Sequence, residues 1–144
     1  MLIDIDGTIS MIGDRLKYIK GEKKDWDAFY AACYDDEPIY PIINLIISLS
    51  HKYIPVFCTG RNEIVRKQTV AWIREYMGSS FGEEILIMRP DGDFRHDTEV
   101  KPEQLHAAGI ELSHIAFVLE DRNTMVARWR ELGLTCLQVA EGDF

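Results

Sequence analysis

The reactive side chains of this sequence gather just after short apolar runs. Asp4, Asp6, Gly7 and Thr8 follow the opening MLI. Thr59, Gly60 and Arg61 follow IPVFC, Lys101 comes after ILIM and a polar stretch, and Glu120 and Asp121 follow IAFVL. Four carboxylates brought together repel one another, so a site holding Asp4, Asp6, Glu120 and Asp121 needs a cation. Hard carboxylate oxygens without His or Cys partners suit Mg²⁺ rather than Zn²⁺. Mg²⁺ held by few carboxylates keeps positions open for water and a substrate phosphate. Lys101 adds a second positive point and the Thr59 hydroxyl a donor, which together neutralise charge on a transferring phosphoryl group. A carboxylate beside the metal can attack phosphorus. A second one two residues on can protonate the leaving oxygen and later deprotonate the attacking water. A lone DxD is as often an acidic loop. DxDGT directly after an apolar run, followed in order by TG, a lone Lys and ED, is far more specific.

These groups can meet only if the elements before them end at one edge. Apolar runs predict strands over Met1–Ile5, Ile54–Cys58, Ile85–Met88, Ile115–Leu119 and Leu134–Val139. Ile42, Leu45, Ile46 and Leu49 recur at helical spacing. A second helix is predicted from Glu63 to Met77, closed by Gly78. Pro102 suits the first turn of a third, reaching Ala108 before Gly109, and Thr124–Leu132 gives a fourth, stopped by Gly133. Strand and helix in alternation predict an α/β fold, a parallel sheet covered by flanking helices on both faces. In such a sheet the carboxyl ends of the strands converge where ligands bind. Residues 10–38 break the rhythm, with a short helix around Trp26–Tyr34, and read as a small cap insertion after the first strand. Residues 1–144 read as one domain without internal repeats.

Composition narrows the partners. Of 144 residues, 47% are apolar and 28% charged, as in a soluble globular protein. Sixteen basic residues against twenty-four acidic ones leave a net charge of −8. Such a chain cannot hold a long polyphosphate by charge alone, so any nucleic acid is engaged locally, at one end. The most apolar stretch, Ile39 to Leu49, is broken by Pro41 and Asn44 and is shorter than the ~20 residues of a membrane span. The opening MLIDIDGTIS lacks the basic start of a signal peptide. Cys33, Cys58 and Cys136 form no CxxC pair and read as small buried hydrophobes of a reduced protein. A cytoplasmic location with no membrane contact is expected.

Other features weigh less. Trp72 and Trp129 read as core, whereas Trp26, in the cap, is a ring that could stack on a base. His51, His96, His106 and His114 have no metal-ligand spacing. Asp35, Asp36 and Glu37 read as a solvated turn. Asp91, Asp93, Asp97 and Glu99 alternate without the spacing of a calcium loop.

The ordered motifs Asp4/Asp6, Thr59, Lys101 and Glu120/Asp121 resemble those of the haloacid dehalogenase superfamily of aspartyl phosphotransferases. The resemblance implies a Rossmann-like parallel sheet, Asp4 as covalent nucleophile and Asp6 as general acid/base. It also implies Mg²⁺ bound by Asp4, the main-chain carbonyl of Asp6, and Asp121, with Glu120 beside them. More closely, from DIDGT through DRNTMVARWRELG to the closing CLQVAEGDF, the chain resembles the 3′-phosphatase domain of phage-type polynucleotide kinase-phosphatase. That resemblance puts Arg15, Arg61 and Arg89, and more weakly Arg95, where arginines assist phosphate and nucleotide binding. It implies removal of 3′-phosphates from DNA or RNA ends during repair, with 2′-phosphate and 2′,3′-cyclic phosphate as further substrates. If phage-encoded, the protein would act in the host cytoplasm. Glu120 departs from that family's Asp by one methylene, and Thr59 replaces a Ser while keeping the hydroxyl. No GxxxxGK[ST] loop occurs in the 144 residues, so a kinase or ligase activity would come from a partner. The competing readings are a phosphatase for free nucleotides or another small phosphomonoester, and a non-catalytic module that binds phosphate ends. The presence of both Asp4 and Asp6 speaks against the last.

Overall fold

The computed structural model describes residues 1–81 and 86–143. Ile85, expected to open a strand, and the terminal Phe144 lie outside the described residues. Five strands, β1 (Leu2–Ile3), β2 (Val56–Asn62), β3 (Leu86–Arg89), β4 (Val118–Arg122) and β5 (Cys136–Gly142), form one sheet in the order β3-β2-β1-β4-β5. Every pairing is parallel. This is the α/β, Rossmann-like architecture expected. The helices are α1 (Trp26–Ala31), α2 (Tyr40–Leu49), α3 (Arg66–Met77), α4 (Asp97–Ala107) and α5 (Asn123–Glu131).

Successive residues of a strand face opposite sides of the sheet, and here each side has its own core. Ile3, Phe57 and Leu119 pack with Ile43 and Ile46 of α2 and Trp72 and Ile73 of α3. Leu2, Cys58 and Val118 pack with Leu105 of α4 and Met125 and Trp129 of α5. Both tryptophans expected in the core are fully buried, and the three free cysteines are buried as well.

Several boundaries move. Ile54 is 75% exposed and outside the sheet, because Pro55 has no N–H to pair and the strand begins after it. β2 and β4 run past their expected ends to Asn62 and Arg122, through register shifts between Cys58 and Asn62 and between Glu120 and Arg122. These irregular segments carry Thr59-Gly60-Arg61 and Asp121. Leu45 is exposed, and α2 buries Ile43 and Ile46 instead. α4 begins five residues ahead of Pro102, which lies inside it. The His96 ring, which accepts from the Thr98 N–H at 3.3 Å, caps that helix. Lys101 is therefore inside α4 rather than at its start. Among the described residues, no helix is long and apolar enough to cross a membrane.

Candidate active site

β1 is the central strand, with β2 on one side and β4 on the other, so the order of connections reverses beside it. Asp4 follows β1, and its N–H donates to the Leu119 carbonyl at 3.0 Å. The chain then turns sharply: the Ile5 carbonyl accepts from Thr8, Ile9 and Ser10 N–H groups at 3.2, 2.9 and 3.0 Å. Gly7 makes this turn at φ +84°, and a Cβ there would strike the Asp121 carboxylate. Glycine brings the two loops together where no other residue fits.

The result is a cavity of about 510 Å³ at the carboxyl ends of the strands. Asp4, Asp6, Arg61, Arg89, Lys101, Glu120 and Asp121 all line it. At its floor, Lys101 Nζ donates to Asp4 Oδ1 at 2.7 Å and to Glu120 Oε2 at 3.0 Å. Trp129 Nε1 donates to the same Glu120 oxygen at 3.4 Å. Thr8 Oγ1 donates to Asp121 Oδ1 at 3.5 Å, and the Gln138 amide donates to the Asp121 carbonyl at 2.9 Å. Burial, then the Glu120 charge, pushes the Asp4 carboxyl well above the usual range, against the pull of Lys101. Burial and Glu120 likewise push Asp121 up to about 6. Burial opposes charge on Lys101, but Asp4 and Glu120 outweigh it and hold its ammonium well above the ordinary value.

Asp4, Glu120 and Asp121 offer oxygens within 4.8 Å of one another, all on buried residues. Oxygen-only donors, crowded enough that two resist ionisation, fit a hard divalent cation such as Mg²⁺. Glu120, expected behind the ligands, belongs to this trio. The Asp6 carboxylate does not, because arginines take it.

Arg61 is fully buried, and its Nε and Nη2 donate to Asp6 Oδ1 at 3.0 and 2.6 Å. Arg15 Nη2 binds the same Asp6 oxygen. Burial would raise the Asp6 carboxyl, but Arg61 and Arg15 outweigh it and hold it below the usual range. Asp36 completes the cluster. It accepts from Arg15 Nε and Nη2 at 2.8 and 2.7 Å, from Arg61 Nη2 at 3.0 Å and from Ser10 Oγ at 2.8 Å. The solvated turn expected over Asp35–Glu37 is thus corrected at its middle residue: Asp36 is buried because two buried guanidinium groups need a second counter-charge. Arg15 and Arg61 each keep one Nη1 without a hydrogen-bond partner. Arg15 does not line the cavity itself but reaches it through Asp6.

Arg89 is tied as well. It donates to the Gly60, Asp93 and Arg95 carbonyls at 3.1, 3.0 and 2.8 Å, and pairs with buried Asp97. Arg122 Nη1 donates to the other Asp97 oxygen at 2.6 Å. Burial acts to raise the Asp97 carboxyl, yet Lys101, Arg122 and Arg89 together lower it. Nothing in the spacing of Asp36 and Asp97 singles them out from neighbouring acids. Only their cationic partners, distant in sequence, do so. Thr59 is buried, does not line the cavity, and accepts from the Arg61 N–H at 3.2 Å through Oγ1. Arg95 is exposed and paired with Asp93 and Glu103.

The chain as a whole has known counterparts. The profile of the polynucleotide kinase PNKP phosphatase domain matches residues 1–144. The chain belongs to that family. As such it is a phosphatase of the haloacid dehalogenase type. Among solved structures it is similar to a chain of the Pnkp1/Rnl/Hen1 complex, at 28% identity and a TM-score of 0.79. That match covers 99% of this chain and 46% of the other, so the PNKP-type phosphatase domain seen here spans about half the neighbour's length. A haloacid dehalogenase-like hydrolase from Streptococcus pneumoniae, 14% identical with a TM-score of 0.60, covers 95% of this chain and 82% of its own. It shows the fold alone.

Proposed function

We propose that this phosphatase domain removes terminal 3′-phosphates from DNA or RNA, by way of an aspartyl phosphate on Asp4. The observation that carries the reading is the buried Asp4 carboxylate, held by Lys101 beside Glu120 and Asp121 on the floor of a cavity wide enough for a nucleotide. Mg²⁺ would be held by Asp4 and Asp121, with the main-chain carbonyl of Asp6 and with Glu120 alongside. It would supply charge neutralisation for the phosphoryl oxygens and for the crowded carboxylates.

The residues divide the remaining work. An Asp4 oxygen forms the new bond to phosphorus as the bond from phosphorus to the ribose 3′-oxygen breaks. Asp6 gives that oxygen its proton. Water then attacks phosphorus, its proton passes to Asp6, and inorganic phosphate leaves with Asp4 restored. Lys101 stays on Asp4 and faces the phosphoryl oxygens, while Thr59 shapes the turn before Arg61. Without substrate, Asp6 is ionised between two arginines, which suits the base step. A phosphoryl dianion beside it raises its proton affinity, the direction that the acid step requires. Arg15 and Arg61 hold Asp6 in place, and Arg89 braces the loop beyond β3. The solved neighbour comes from a complex with Rnl and Hen1, and we propose that any kinase or ligase acting with this domain is a partner or a further domain.

The test is phosphate release from one oligonucleotide bearing a 3′-phosphate and the same one bearing a 5′-phosphate, with and without Mg²⁺. Release from the 3′ end only, lost on chelation and in Asp4→Asn, is the expected outcome. Turnover of a free nucleotide with none from either polymer end would overturn the polynucleotide substrate.

A further inference from the structure

We propose that the cavity holds a stacking subsite for the terminal nucleobase, with Trp26 and Phe94 as its two aromatic surfaces. The proposal rests on the 3′-phosphatase reading and names what fills the space beyond the phosphate. Both rings line the cavity that has Asp4 on its floor. Phe94 is 88% exposed, the most exposed large apolar side chain described. Its loop is nonetheless well tied. Arg89 donates to the carbonyls on either side, at Asp93 and Arg95. The Asp93 N–H donates to the Pro90 carbonyl at 3.2 Å, and the Arg95 N–H to Asp93 Oδ1 at 3.0 Å. A phenyl ring held in water on a braced loop gains most from a flat apolar partner.

Trp26 answers it from the 10–38 segment. It is 40% exposed and stacks on Tyr30 at 6.0 Å between ring centroids, with Phe29 edge-on at 5.7 Å. Phe29 in turn lies under the Arg15 guanidinium, whose Cζ is 4.4 Å from its centroid. An aromatic series therefore runs from the arginine beside Asp6 to the rim. The volume, about 510 Å³, far exceeds what a phosphate fills and is in the range of small-ligand sites. A nucleobase is the occupant that fits both halves: its ribose phosphate goes to Asp4, and its face covers rings that water otherwise wets. Neither Trp26 nor Phe94 offers paired donors and acceptors to read a base edge, so all four bases should be accepted.

The experiment compares a 3′-phosphorylated trinucleotide with the same molecule abasic at its 3′ residue. The wild-type protein should show a KM roughly ten-fold or more lower for the base-bearing end, and the four bases should differ by no more than about three-fold. That preference should collapse in Phe94→Ala and in Trp26→Ala and return in Phe94→Tyr. Since Phe94 is exposed, its truncation does not threaten folding. Equal KM values for the two wild-type substrates, or an undiminished preference in Phe94→Ala, would overturn the subsite. If neither 3′ end is processed while a small phosphomonoester is, the 3′-phosphatase reading fails separately. The subsite is then read from Asp4→Asn protein titrated with a nucleoside monophosphate. Tryptophan quenching lost in Trp26→Phe supports it, and quenching unchanged in that variant overturns it.

Discussion

Arg15 and Arg61 are buried cations, and a buried cation is stable only beside carboxylates that repay its lost hydration. Asp6 supplies one such charge and Asp36 the other. Asp36→Ala should therefore cost about 3–5 kcal/mol, the usual penalty for breaking a buried pair, seen as a lower urea midpoint. It should also lower kcat, because Asp6 loses its fixed partners. Asp121 makes a pH prediction. Burial, chiefly, raises its carboxyl from the ordinary 3.8 to about 6, so the metal-free folded protein keeps a proton that the unfolded chain releases. That group's stabilisation is complete below its unfolded value and is lost as pH rises through about 6. Mg²⁺ needs the ionised carboxylate. The rise in Tm on adding Mg²⁺ should thus be small near about pH 5 and grow as pH rises through about 6. An increment independent of pH would contradict this.

Gly7 shows how an element places a residue. Its φ of +84° and the absence of a Cβ let the turn after β1 close onto the loop after β4. Gly7→Ala should displace Asp121 and lower kcat/KM by about a hundred-fold, the effect of an ångström-scale error in catalytic geometry. A steady-state assay with a circular dichroism control would check it. The apolar runs made the five strands, their parallel pairing and the helices on both faces legible, since burial on two faces leaves a continuous apolar signature, whereas the order β3-β2-β1-β4-β5 came only from the structure. The floor of the site was legible too, because Asp4, Lys101, Glu120 and Asp121 each follow a strand or its loop. The register shifts in β2 and β4 were not, and neither was the start of α4, where a histidine caps the helix and Pro102 is tolerated inside. Asp36 and Asp97 were hidden for a different reason: their neighbours in sequence are also acidic, and only tertiary pairing with arginines distinguishes them.

At the scale of the whole molecule, charge is unevenly spread. The cavity lining pairs six carboxylates with six cations, so the net charge of −8 lies outside it. An acidic exterior repels a polyphosphate, and contacts should stay with the last few nucleotides. kcat/KM should then change little between a trinucleotide and a decanucleotide. Its logarithm should fall with the logarithm of salt concentration at a slope of roughly −1 to −2, as for two or three neutralised phosphates. A steep rise in affinity with length would show a binding track that these residues do not provide. Phosphoryl transfer to Asp4 is the claim on which the rest depends. The direct measurement uses an oligonucleotide with a radiolabelled 3′-phosphate, mixed with excess protein and Mg²⁺ and quenched in acid at millisecond intervals. Label should appear on the protein before free phosphate, be released by hydroxylamine, map to the peptide bearing Asp4, and be absent from Asp4→Asn. Label on another residue, or phosphate release by Asp4→Asn at the wild-type rate, would contradict the account.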